Sequence, residues 1–292
     1  MKTDIDPVAE AWMLACHKDG MNTVDGGEYD KKTLQEVIDL EGSEKILGEN
    51  SKKFDYFPIL IKLIDAKNNL SIQVHPDDEY AKRVEHEFGK TEIWYVLDAD
   101  DDAQLIYGFK NKISKEDFRK AIENNTLPEV LNSVKVQKGD LFFIEAGTVH
   151  AIGKGTLIAE IQQNSNSTYR VYDYGRLGKD GKPRELHIDK AVDVTVTEPP
   201  KYGTKPQGET ENITGGKKQL LTKCDLFTVY RYDCESEIKL TADSSSFNHI
   251  LIIDGSGTIN SREFRKGDSF FIPADFGEYT IKGNAEIILT KI

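Results

Sequence analysis

Two imidazoles, a carboxylate and an amide stand where apolar strands are expected. In LSIQVHP, Gln73 and His75 are two residues apart, so on an extended chain both project to one side while Ile72 and Val74 take the other. Glu92 opens a second apolar run, TEIWYVLDA, and His150 leaves the small-residue turn of AGTVHAI. Imidazole nitrogen, carboxylate and amide oxygen together make a donor set suited to zinc, with room for water or substrate. These residues are far apart in the chain and meet only if their strands fold onto one another. The competing reading is four polar residues satisfied separately inside a core.

Other chemistry is weaker. His17, His86, His187 and His249 lack companions, and His86 lies between Glu85 and Glu87 on the solvated side of a helical pattern. In GKGT the residue after Lys154 is Gly155, where a phosphate loop needs Ser or Thr. GSG at Gly255 reads as a hairpin turn, and no nucleophile elbow or dinucleotide fingerprint occurs. Cys16, Cys224 and Cys234 are odd in number and scattered, which argues against disulfides or a cysteine-bound metal and fits a reducing cytoplasm. With 38 Lys+Arg against 50 Asp+Glu, the formal charge of −12 opposes nucleic acid and anionic membranes. A phosphorylated small molecule would therefore need a local cluster of Arg and Lys set against that field. The N-terminus is charged and the apolar runs are too short to span a bilayer, so a cytoplasmic protein with no membrane partner is expected.

The elements that must position these residues follow from periodicity. KKTLQEVIDLEG and SEKILGEN repeat apolar residues at helical steps, whereas FPILIKLIDA and LSIQVH read as strands separated by KNN. HPDDEYAKRVEHEF is helical, with Asp77 or Asp78 as N-cap, and Ser114 caps SKEDFRKAIENN, with a second helical stretch running on through PEVLNSV. KGDLFFIEAGTVHAI, from Lys138, aligns with KGDSFFIPADFGEYTI, from Lys266, if one residue is inserted, and only the first copy carries a histidine after its turn. This internal repeat predicts two related β-barrels, with chemistry confined to the first. The Pro- and Gly-rich stretch 195–216 reads as their connection, giving a first domain over 1–194 and a second over 217–292.

Longer motifs then carry a resemblance. QVHPDDEYA, GKTEIWYV, AGTVHAIGKG, EIQQNSNSTYRVYDYGR and GKPRELHIDKA, in that order, resemble the type I mannose-6-phosphate isomerases, in particular their short bacterial form. The resemblance implies a mainly β fold of two cupin-like jelly-roll barrels, with helical segments inserted in and preceding the first. It implies one zinc ion per chain, held by His75, Glu92 and His150, with Gln73 as a further ligand in some members. It also implies interconversion of mannose 6-phosphate and fructose 6-phosphate, with Arg170 of TYRVYDYGR as a catalytic residue. Two departures stand out. Glu145 occupies the turn position where the cupin signature often has Pro, while the second copy keeps Pro273. Members usually begin with a further segment holding a Trp-Gly-Gly run, so strands that help complete the first barrel are expected to be absent.

An aldose–ketose isomerisation moves a proton between C1 and C2 through an enediol. It needs a base and an electrophile on the developing oxyanion. Lys90 and Glu160 are the candidate bases, and Arg170, Lys90, Arg176 and Lys154 the candidate phosphate ligands. Tyr169, Tyr172 and Tyr174 either wall the pocket or pack. The expected partner is a small sugar phosphate and the expected assembly a monomer or homodimer. The alternative is a degenerate cupin that binds a sugar phosphate without turnover, and an isomerase of glucose 6-phosphate leaves the long motifs unexplained.

Overall fold

The computed structural model describes residues 10–178 and 181–292. Strand accounts for 43% of the chain and helix for 16%, so the fold is mainly β as expected. The ladders form two five-stranded sheets, an eight-stranded sheet and a two-stranded ribbon, and they are open sheets rather than closed barrels. No helix among the described residues is long and apolar enough to cross a membrane.

The chain divides into two compact units. Lys62–Thr204 forms one unit, while Trp12–Ile61 groups with Lys205–Ile292 in the other. Within the stretch read as a connection, Thr210–Ile213 is a strand paired with Gly216–Lys223.

In the Lys62–Thr204 unit, one ladder orders its strands Tyr169–Tyr172, Ile72–Val74, His150–Ala151, Gln104–Phe109 and Leu131–Lys135. The other includes Glu92–Ala99 flanked by Thr156–Gln163 and Leu141–Ile144. Ile72 and Val74 point away from the polar face into a core with Phe118, Val149 and Val171, which fixes the register that puts Gln73 on the opposite side. The helices form where their caps allow: Asp77 Oδ1 accepts from Tyr80 N–H at 2.8 Å, and Ser114 Oγ accepts from Asp117 N–H at 3.0 Å. The helical reading of PEVLNSV holds only for Leu127–Val130. From Leu131 the chain is a strand, because Leu131 pairs with Phe109 and Val134 with Leu105 across a slip in register.

In the other unit the apolar faces of the Thr228–Cys234, Asn248–Ile259 and Gly277–Lys291 strands meet around Ile250, Ile252, Tyr279 and Ile287. The GSG reading needs correction: Gly255 lies inside the Asn248–Ile259 strand rather than in a turn. Its φ is +84° and a Cβ there would stand 2.0 Å from Asn284 O, so the close approach of the paired strand requires glycine; the pairing slips just before it, between Ile252 and Asp254. The two KGD copies do share one turn. Gly139 and Gly267 have φ of +91° and +87°, Asp140 accepts from Gln137 N–H at 3.0 Å, and Asp268 accepts from Arg265 N–H at 2.9 Å.

Candidate metal centre

His150 is the Cα partner of Gln73, and Gln73 is in turn the partner of Arg170 on its other side. Directly opposed residues on adjacent strands project to the same face, so three neighbouring strands present imidazole, amide and guanidinium in one row. His75 follows Gln73 on that face, and its carbonyl accepts from Gly147 N–H at 2.8 Å, tying the ligand strand to the turn that launches His150. Glu92 comes from the other ladder. Gly89, three residues before it, lies so close to Asp77 that a Cβ would sit 2.5 Å from that residue's carbonyl carbon. Lys90 N–H donates to Pro76 O at 3.0 Å.

These elements converge on one point. His75 Nε2 and His150 Nε2 are 3.1 Å apart, with Glu92 Oε2 3.7 Å from the first and Oε1 3.6 Å from the second. His75 Nδ1 donates to Ser167 O and His150 Nδ1 to Thr148 O, each at 2.8 Å. Those carbonyls fix the proton on Nδ1 and leave both Nε2 lone pairs facing one another. Both Glu92 oxygens are buried and accept no hydrogen bond of good geometry, although Lys90 Nζ lies 3.3 Å from Oε2. Two opposed lone pairs and a carboxylate whose near cation is Lys90, all fully buried, fit a bound divalent cation. Gln73 Nε2 stands 3.4 Å from His150 Nε2, and a half-turn of the amide presents its oxygen to the same point.

The electrostatics agree with that fit. Burial, reinforced by the charge of Lys90, holds the His75 imidazole well below its ordinary value. Burial lowers His150 to about 4, so both rings are neutral and able to ligate. Burial and the nearby Glu160 push Glu92 up to about 7 against the pull of Lys90 and Lys62. Burial works against the charge on Lys90, yet Glu92 and Glu160 outweigh it and keep the ammonium protonated. Burial likewise raises Glu160, but Lys90 and Lys62 more than offset it and hold the carboxyl below its usual range.

Glu160 accepts from Trp94 Nε1 at 2.8 Å and faces Lys62 Nζ at 3.5 Å, while the Trp94 ring meets His150 edge-on at 5.1 Å between centroids. The sequence reading missed Lys62, whose signal was a lone ammonium inside the apolar run ILIKLI. It also missed Gln162, the strand partner of Glu92, whose buried Oε1 has no hydrogen-bond donor. Lys154 is placed elsewhere: it lines a cavity of about 480 Å³ with Asp100–Asp102, Gln104 and Tyr174, whose walls include none of the metal candidates. Arg176 binds Asp173 and Asn69 O. Tyr169 is a packing residue with its hydroxyl on Glu85 at 2.7 Å, and His187, dismissed for want of companions, accepts from Arg170 N–H at 3.1 Å.

Comparison with known proteins settles the family. Residues 2–104 match the family model described as phosphomannose isomerase type I, catalytic domain, and residues 217–292 that of the mannose-6-phosphate isomerase cupin domain. The chain is 40% identical to mannose-6-phosphate isomerase ManA of Bacillus subtilis over 97% of its own length and 89% of the relative's. The chain belongs to the type I phosphomannose isomerases. It is therefore a member of an enzyme family. The mannose-6-phosphate isomerase of Streptococcus mutans is 36% identical over 97% of this chain and 88% of that relative. The crystal structure of the Bacillus subtilis mannose 6-phosphate isomerase superposes with a TM-score of 0.88 at 38% identity, covering 97% of this chain and 90% of that one. A putative mannosephosphate isomerase from Archaeoglobus fulgidus, at 21% identity and a TM-score of 0.77, shares the fold.

Proposed function

We propose that this phosphomannose isomerase interconverts mannose 6-phosphate and fructose 6-phosphate in the cytoplasm, using a zinc ion held by His75, Glu92 and His150 with Gln73 as a further ligand. The observation that carries the reading is the buried, hydrogen-bond-starved face that these side chains turn toward one another, 3.1 Å apart at the two imidazoles. A zinc ion supplies Lewis acidity to a sugar oxygen when bound. The protein residues divide the remaining work by charge. Glu160, kept ionised beside Lys62 and Lys90, is the carboxylate able to take the proton from one carbon and return it to the next. Trp94 holds one of its oxygens and leaves the other for transfer. Lys90, kept protonated, is better suited to neutralise an oxyanion than to act as the base. Arg170, in the same row as Gln73 and His150, extends the cationic lining toward the phosphate end of the substrate.

The finer fold reading, two cupin jelly rolls of which only the first is catalytic, is supported by the turn geometry common to both KGD copies and by the absence of a histidine at the second. The deciding experiment is a coupled assay of mannose 6-phosphate conversion on purified protein, repeated after chelation and after zinc is restored. Activity that is lost and regained is expected. A folded, zinc-loaded sample without turnover would leave a sugar-phosphate-binding protein instead.

A further inference from the structure

The hairpin beyond the Tyr169–Tyr172 strand brings basic residues together in an otherwise acidic protein: Arg176, Lys182 and Arg184 lie within nine residues of one another. Its two arginines meet on one buried carboxylate. Asp173 is 6% exposed and takes Arg184 Nε at 2.6 Å and Arg176 Nε at 3.0 Å, with a further contact from the second guanidinium nitrogen of each. The ends of the hairpin are joined by pairing of Leu177 with Pro183.

The segment after Arg184 then runs back along the strand edge beside Arg170. His187 N–H donates to Arg170 O at 2.8 Å, Arg170 N–H donates to His187 Nδ1 at 3.1 Å, and Arg170 Nη1 donates to Glu185 O at 3.0 Å. Arg184 is thereby brought beside Arg170. Arg170 Nε is buried and has no acceptor. Burial and the like charge of Arg184 both lower the Arg170 pKa, so the cluster carries a repulsion that an anion would relieve. Arg176 and Arg184 bind Asp173 directly and Arg170 feels its charge without touching it, so three guanidiniums stand against one carboxylate, an excess of positive charge that suits a phosphate dianion, with the exposed Glu185 as a weaker offset.

We propose that Arg184 is a phosphate-binding residue of this enzyme and that Asp173 is the positioning residue that sets Arg184 and Arg176 beside Arg170 as one clamp for the phosphate of the sugar phosphate. The inference rests on the sugar-phosphate reading above. It goes beyond that reading by assigning two residues, Asp173 and Arg184, to recognition of the phosphate. Asp173 fixes the planes of two guanidiniums in advance, so less side-chain freedom is lost when the phosphate arrives.

The test uses the zinc-loaded full chain and two probes, mannitol 1-phosphate, which has a phosphate but no carbonyl, and mannitol. Binding is measured calorimetrically for the wild type, Arg184→Ala, Arg184→Lys and Asp173→Asn, alongside kcat and KM for mannose 6-phosphate and the melting temperature of each variant. Arg184→Ala is expected to weaken mannitol 1-phosphate by about 10- to 100-fold, the value of one charge-assisted hydrogen bond, and to leave mannitol unchanged. KM should rise by a similar factor while kcat changes by less than about threefold. Arg184→Lys should fall between the two, because an ammonium keeps the charge and loses the fork. Asp173→Asn should raise KM in the same direction.

Variants that lower the melting temperature but bind mannitol 1-phosphate as the wild type does would show Asp173 and its arginines to be a loop staple and overturn the clamp. A wild type that does not distinguish mannitol 1-phosphate from mannitol overturns it as well, while turnover of mannose 6-phosphate in the same sample is judged separately. A wild type that binds through Arg184 yet gives no turnover upholds the clamp and sinks the isomerase reading.

Discussion

The buried polar groups of the centre are arranged in opposed pairs, and their charges decide which of them can move a proton. On sequence alone Lys90, beside Glu92, and Glu160, on the strand before the Arg170 motif, are both candidate bases. Their surroundings separate them. Lys90 sits against Glu92 and is stabilised as a cation, whereas Glu160 lies between Lys62 and the Trp94 N–H and is stabilised as an anion. Glu160→Gln keeps the shape and the Trp94 contact but removes the proton acceptor. It should lower kcat by about 10²- to 10⁴-fold, the usual value of a positioned general base. Zinc content should remain at the wild-type level, because Glu160 is not among the converging ligands. Metal analysis beside steady-state kinetics checks both halves, and a variant that keeps its kcat would return the role of base to Lys90.

At the scale of elements, the site depends on close approaches that only glycine permits. Gly89 packs against the Asp77 backbone, at the cap of the Asp78–Val84 helix, and thereby sets where Lys90 and Glu92 emerge. Gly89→Ala would place a methyl 2.5 Å from Asp77 C and 2.5 Å from Asp78 N, both backbone atoms, so the GKTE segment or the helix cap must shift. A loss of about 1–3 kcal/mol is expected from the overpacking, read by urea denaturation, together with weaker zinc retention. Unchanged stability and zinc content would show that the segment is set by other contacts. The same elements show what sequence can and cannot convey. The alternation of LSIQVH encodes which side Gln73 occupies, because Ile72 and Val74 must reach a core, and Ser114 and Asp77 announce their helices through local hydrogen bonds. GSG reads as a turn because a glycine-rich triplet has the same letters in a turn and within a strand, and only the partner strand at Asn284 distinguishes them. The Leu131 strand reads as helix for a similar reason: its partners Leu105 and Phe109 lie more than twenty residues earlier in the chain. Lys62 was passed over because its carboxylate partner Glu160 is almost a hundred residues away.

At the scale of the molecule, the centre is a cost that a bound cation would offset. Four buried ionisable groups, Lys62, Lys90, Glu92 and Glu160, and two buried neutral imidazoles occupy volume that apolar side chains would fill more favourably. Binding to the folded chain alone stabilises it by mass action, about 4 kcal/mol at a thousandfold excess over Kd. For a protein of this size that corresponds to a rise of roughly 8–16 °C in melting temperature. The increment should depend on pH with a definite sign. Glu92 titrates near 7 in the cation-free protein, well above an unfolded glutamate, so on its account the cation-free fold loses stability as pH rises from about 4.5 to about 7. The cation needs that carboxyl ionised, so its affinity rises over the same interval and levels off above about 7. Lowered to about 4, His150 adds proton competition only in more acid solution. Melting curves with zinc and with chelator should therefore diverge as pH is raised from 5 to 8, with the gap widening most below about 7. Curves that stay parallel across that range would mean that Glu92 does not ligate the cation.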